Sequence, residues 1–84
     1  MAQPRPNPPS LRQTFAHNMR KRREELKISQ ELLADICALH RTYISLVERS
    51  RRNLSIDNIE KIANGLQIEP AELMLRRNYH NDAI

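Results

Sequence analysis

The chain has 84 residues, a formal charge of +4 from 14 Lys plus Arg against 10 Asp plus Glu, and only one Gly, one Cys and no Trp. A lone Cys37 excludes a disulfide framework and a multi-cysteine zinc site, and a lone Gly65 excludes the Gly-rich loops that cradle nucleotide phosphates. No apolar run approaches the ~20 residues of a membrane span. What remains is a single small domain, 39% hydrophobic and 29% charged, with a thin core and little room for a substrate cleft. The first residues carry no apolar segment of the signal-peptide kind, so the expected location is inside the cell, and the single thiol fits a reducing compartment.

Residues 1–9 hold four of the five prolines and read as a flexible arm, because proline removes backbone donors and fixes φ. Ser10 followed by Gln13 makes a capping box at the start of a first helix over about residues 11–26, with Leu11, Phe15, Met19 and Leu26 at near-helical spacing. Arg22 falls on the same stripe and is expected to snorkel along the core edge. Ser29 caps a second helix over about 30–37, whose apolar face is Leu33, Ala34 and Cys37. A third, about 41–49, turns Ile44 and Val47 to the core, with Leu46 expected to face outward. Ser55 caps a fourth, with Ile56, Ile59, Ile62, Ala63 and Leu66 on one side and Gly65 expected as its C′ residue. Pro70 suits the first turn of a fifth helix. Nothing alternates with period two, so the fold class is all-α, five short helices. The division is an arm over 1–9, a domain over 10–77 and a polar tail over 78–84.

Charge is unevenly shared. Residues 1–53 carry 11 basic and 5 acidic side chains, a net of +6, and residues 54–84 carry 3 basic and 5 acidic, a net of −2. The positive charge gathers in Arg20, Lys21, Arg22 and Arg23 and again in Arg49, Arg51 and Arg52. Such a half-basic chain has the electrostatic footprint of a partner for a polyanion, above all nucleic acid. A solvated helix face would account for the first cluster taken alone.

Residues 30–49 form two short helices separated by a few residues, with the small Ala34 where they cross, which is the pattern of a helix-turn-helix. Ala38 stands where the turn usually has Gly, at some cost in backbone energy. His40 stands at an N-cap where Ser, Thr, Asp or Asn is preferred. The run Ser29-Gln30-Glu31-Leu32-Leu33-Ala34, with Ile44-Ser45 and Glu48-Arg49, resembles the phage-repressor and Xre-like transcriptional regulators. More narrowly, Arg41-Thr42-Tyr43-Ile44-Ser45, Glu48-Arg49 and Arg52-Asn53-Leu54-Ser55-Ile56 resemble the controller proteins of bacterial restriction-modification systems. The likeness covers about residues 11–75.

This resemblance implies a phage-repressor-like DNA-binding domain acting as a homodimer on a pseudo-palindromic double-stranded operator. It also implies cytoplasmic regulation of its own gene and of endonuclease timing. The third helix would lie in the major groove with Arg41, Thr42, Tyr43 and Ser45 toward bases, joined by Arg52. Gln30, Arg49, Arg51 and Asn53 would hold the phosphate backbone. A glutamate at Glu48 pairs with a first-helix arginine in the wider family, and Arg23 is the matching position, so that pair is expected to be structural. The fifth helix, with Pro70, Leu73 and Met74, would supply the dimer interface. Glu31 and Asp35 offer a surface for RNA polymerase in an activator, although a solvated face is the simpler account of two exposed acids.

His17, His40 and His80 lie 23 and 40 residues apart, which is no ligand spacing, so no metal and no cofactor is expected. Cys37 lies on the apolar face of its helix, where packing is the natural role. No titratable pair has acid–base spacing, so the chain does not read as an enzyme. The alternatives to a controller are a prophage-type repressor or antitoxin with the same domain, and an adaptor binding a partner protein through its last two helices.

Overall fold

Each of the first four helices starts at a side chain that closes its own first turn. In this computed structural model, which describes residues 8–77, α1 (Leu11–Glu25) begins at the expected capping box. Ser10 Oγ accepts from the Gln13 amide at 3.1 Å while Gln13 Oε1 accepts from the Ser10 amide at 2.9 Å. Ser29 Oγ accepts from the Leu32 amide at the head of α2 (Gln30–Cys37), and Ser55 Oγ accepts from the Asn58 amide at the head of α4 (Ile56–Gly65). His40 performs the same task for α3 (Arg41–Glu48), its Nδ1 accepting from the Thr42 amide at 3.2 Å. An imidazole nitrogen thus replaces the usual hydroxyl or carboxylate as the acceptor for an orphan amide. Pro70 opens α5 (Pro70–Leu73), where its missing N–H leaves no donor unsatisfied. Among the described residues these five helices make an all-α fold with no strand. No described helix is long and apolar enough to cross a membrane. Of the expected arm only Pro8 and Pro9 fall within the described residues, and the expected tail over 78–84 lies outside them.

Four helix ends share one device. The amides of Ile28, Leu39, Arg51 and Ile68 donate five residues back, to the carbonyls of Arg23, Ala34, Leu46 and Ala63. The preceding residues Lys27, Ala38, Ser50 and Gln67 have φ of 58°, 56°, 61° and 56°. These are Schellman closures made without glycine. Three of them end on an apolar side chain packed against the core, Ile28, Leu39 and Ile68. The fourth, after α3, ends on the exposed Arg51.

Gly65 is not the left-handed cap expected of it. It is the last residue of α4, and the positive φ falls two residues later on Gln67. What requires glycine there is space: a Cβ on residue 65 would lie 2.5 Å from Cys37 Sγ and 3.2 Å from Ile36 Cγ2. α4 therefore crosses α2 with its backbone against the thiol.

The core is built from Phe15 and Met19 of α1, Leu33 and Cys37 of α2, Ile44 and Val47 of α3, Ile62 of α4 with Leu66 beyond it, and Leu73 of α5. Each large side chain buried there stabilises the fold by about 1.5–3 kcal/mol. Two residues of the expected stripes stay outside it: Leu11 and Ile56 are exposed, the latter at 79%. Both are the first residue of their helix, one turn short of the packed region. Leu46, expected to face outward, is half-buried.

Arg22 lies along the core edge as expected, and its guanidinium closes the end of α4. Nε donates to the Leu66 carbonyl at 2.9 Å and Nη2 to that of Gln67 at 3.3 Å. Asn18 does the same for α5, its Nδ2 donating to the carbonyls of Leu73 at 3.0 Å and Leu75 at 2.9 Å. Leu73 is corrected by the structure. It is 0% exposed within one chain, so it has no surface to offer a second subunit. Pro70 and Met74 beside it remain half-buried, and Leu75 is exposed.

Candidate nucleic-acid interface

α2 and α3 pack against each other with Ala34 of α2 buried, and the first two residues of α3, Arg41 and Thr42, are exposed. Ser45, one turn on, is half-buried. Arg41 Nη1 stands 3.7 Å from the Glu31 carboxylate of α2, both side chains being about two-thirds exposed. A pair so exposed is weak and screened by salt, which leaves the guanidinium free to exchange its partner.

The ends of the two helices are locked together from below. Arg23 Nε donates to Glu48 Oε2 at 2.7 Å and Arg23 Nη2 to Oε1 at 3.1 Å, a fork-to-fork pair whose side chains are 15% and 4% exposed. The Glu48 carboxylate raises the Arg23 pKa above its ordinary value, burial opposing it. Arg23 Nη1 also donates to the Ile28 carbonyl at 2.8 Å, which fixes the turn before α2. Gln30, expected on phosphate, donates from Nε2 to Glu48 Oε1 at 3.1 Å. Its amide is thus oriented by the same carboxylate at the head of α2.

Tyr43 is half-buried, and its hydroxyl has two partners within the chain. It donates to the Asn53 carbonyl at 3.2 Å and accepts from Asn58 Nδ2 at 3.1 Å. The Arg52 guanidinium lies over the Tyr43 ring, 5.9 Å from its centroid, within cation–π range. The Asn53 side chain accepts from Arg12 of α1. Arg49, Arg51, Arg52 and Asn53 are all exposed along the segment that follows α3. The structure thus brings Arg41 and Thr42 onto one helix end. It brings Tyr43, Arg52 and Asn53 into a single network, and Glu48, Arg23 and Gln30 into another.

Sequence reasoning missed Arg12 and Asn58. Neither lies in the helix-turn-helix, and both read as ordinary polar surface positions at the starts of α1 and α4. Their contacts span 41 and 15 residues, beyond any local pattern. Among the described residues no group of three His, Cys, Asp or Glu side chains converges as a metal site would require. The free Cys37 is buried, and desolvation raises its pKa.

A helix-turn-helix family model (HTH_3) matches residues 19–73, which spans α2, α3 and their supports. The control protein C.BamHI of Bacillus amyloliquefaciens is 47% identical over 66 residues, 77% of this chain and 82% of the relative. The restriction-modification controller protein C.AhdI of Aeromonas hydrophila is similar in structure as well, with a TM-score of 0.72 at 44% identity over 74% of this chain and 94% of that one. The chain belongs to the restriction-modification control proteins. A further controller, C.Esp1396I, has been solved bound to a 19 base pair DNA duplex. It shares 32% identity with the present controller over 90% of this chain and 99% of its own, with a TM-score of 0.73. In this controller the subfamily residues Tyr43, Arg52 and Asn53 are those the fold ties into one network.

Proposed function

We propose that the protein is a sequence-specific DNA-binding regulator of transcription, the controller of a restriction-modification system rather than an enzyme, acting in the cytoplasm. The observation that carries this reading is the likeness, over 90% of the chain, to a controller solved on a DNA duplex. The exposed head of α3 supports it. In this reading α3 enters the major groove, with Arg41 forked onto guanine O6 and N7 and Thr42 beside it. Ser45 and Tyr43 lie deeper, the Tyr43 ring carrying Arg52 toward a neighbouring base. Gln30, Arg49, Arg51 and Asn53 take the phosphates on either side.

Two copies reading a pseudo-palindrome place their recognition helices about one duplex turn apart, ~34 Å. Support for a homodimer comes from apolar side chains left uncovered around the last helix. Leu75 is exposed, and Pro70 and Met74 are half-buried. RNA polymerase as a further partner rests on Glu31 and Asp35 alone, and Glu31 already faces Arg41.

Selection of bound sequences from a random duplex pool tests the whole reading. The expected product is a two-fold symmetric site with half-sites about 10 base pairs apart. Arg41→Ala should relax one base position in each half-site while the melting curve stays intact. Selection that returns no enriched site, or an unchanged site with Arg41→Ala, overturns sequence readout by this helix.

A further inference from the structure

Ten arginines lie within the described residues, and five of them, Arg20, Arg22, Arg23, Arg41 and Arg77, face a carboxylate. Three of the others converge. A polar cavity of about 500 Å³ lies between the start of α1, the segment after α3 and the start of α4, and its lining includes Arg12, Tyr43, Arg51, Arg52, Asn53 and Asn58. No acidic side chain lines it. Its three guanidiniums are all exposed, and none has a carboxylate partner among the described residues.

We propose that Arg12 and Arg51 form a phosphate clamp, beside the base-directed Arg52, that grips one backbone phosphate of the bound duplex without reading its sequence. Arg12 is the new member. It comes from α1, outside the segment to which DNA contact has been assigned, and it reaches the others through the Asn53 side chain. Asn53 is neutral, so it orients Arg12 without cancelling its charge. The Arg52 guanidinium lies over the Tyr43 ring face, and the Asn53 backbone is tied to the Tyr43 hydroxyl. Arg51 stands at the one helix closure that ends on a charge where the other three end on core apolar residues. Like charges held together this way repel one another until an anion joins them. A phosphodiester fits, because its oxygens accept from several guanidinium forks at once. The inference rests on the DNA-binding reading above.

The test is the salt dependence of binding by full-length protein to a selected site and to a scrambled duplex. Counterion release makes log K fall with log salt by about 0.9 per phosphate neutralised. Arg12→Ala is expected to lower that slope by about 1 on both duplexes and to weaken binding at low salt by about ten-fold on each. Arg20→Ala, which removes the same charge from a side chain paired with Glu24, is expected to leave the slope within a few tenths of wild type. A wild-type slope in Arg12→Ala overturns the clamp, and so do equal slope losses in the two variants, which would trace the effect to net charge. Wild-type protein that binds neither duplex overturns the DNA reading itself, and the clamp with it.

Discussion

Glu48, the last residue of α3, accepts both forks of the Arg23 guanidinium of α1 and, on the same oxygen, the amide of Gln30 at the head of α2. One buried carboxylate therefore sets three helices relative to one another, and with them the height at which α3 stands out from the surface. Arg23→Ala leaves that carboxylate buried without its cation, and the expected loss of stability is about 3–5 kcal/mol. Replacing both partners together, Arg23→Met with Glu48→Leu, should recover most of it, as read by urea denaturation. The pH dependence has a definite sign. The Arg23 pKa is raised in the fold, so its contribution is complete below the ordinary guanidinium range and is lost only as pH rises through that raised value. Arg23 should therefore add no pH dependence between pH 5 and 10.

Tyr43→Phe keeps the ring under Arg52 and removes only the hydroxyl. The Asn53 carbonyl and the Asn58 amide each lose a partner at once. The expected cost is about 1 kcal/mol in stability. A comparable loss in DNA affinity, about five-fold, should accompany it, because the freed segment carries Arg51 and Arg52. Denaturation and a binding isotherm on the same preparation check both. An affinity equal to wild type would show that the segment holds its shape without the hydroxyl.

Gly65→Ala drives a methyl group into Cys37 Sγ, and overpacking of this kind costs about 1–3 kcal/mol. Cys37→Ala removes the sulfur that the new methyl meets first. The double variant should therefore be more stable than Gly65→Ala alone, although each single change destabilises. A double-mutant cycle measured by thermal melting gives the coupling directly. Additive losses would place the strain at Ile36 instead, the next atom in reach at 3.2 Å.

Burial of Cys37 raises its pKa above the ordinary value of 9.0. The unfolded chain then ionises first, so stability from this residue is complete below pH 9 and falls as pH rises toward the folded value. Wild type should lose more stability between pH 8 and pH 10.5 than Cys37→Ala does. The difference between the two proteins isolates the contribution of the thiol. Equal losses would mean that the thiol ionises as readily in the fold as outside it.

The helices, their starts and most of the core were legible in the chain itself, because those are local matters. A serine closes an amide three residues away, and an apolar stripe recurs every turn, so Ser10, Ser29 and Ser55 and the Phe15, Leu33, Ile44 and Ile62 faces are all written within short stretches of chain. The paired Arg23 and Glu48 were legible only through likeness to a family, since nothing local joins residues 25 apart. The rest came from how the helices pack. That packing showed that Gly65 is there for the Cys37 sulfur and not for a turn, that Leu73 is enclosed within its own chain, and that the Tyr43 hydroxyl ties α3 to the loop beyond it. It also brought Arg12, 41 residues from Asn53, to the arginines of that loop. These outcomes depend on which helix faces meet when the chain closes on its core. That is set by packing summed over the whole molecule, and no single stretch of eight or ten residues contains it.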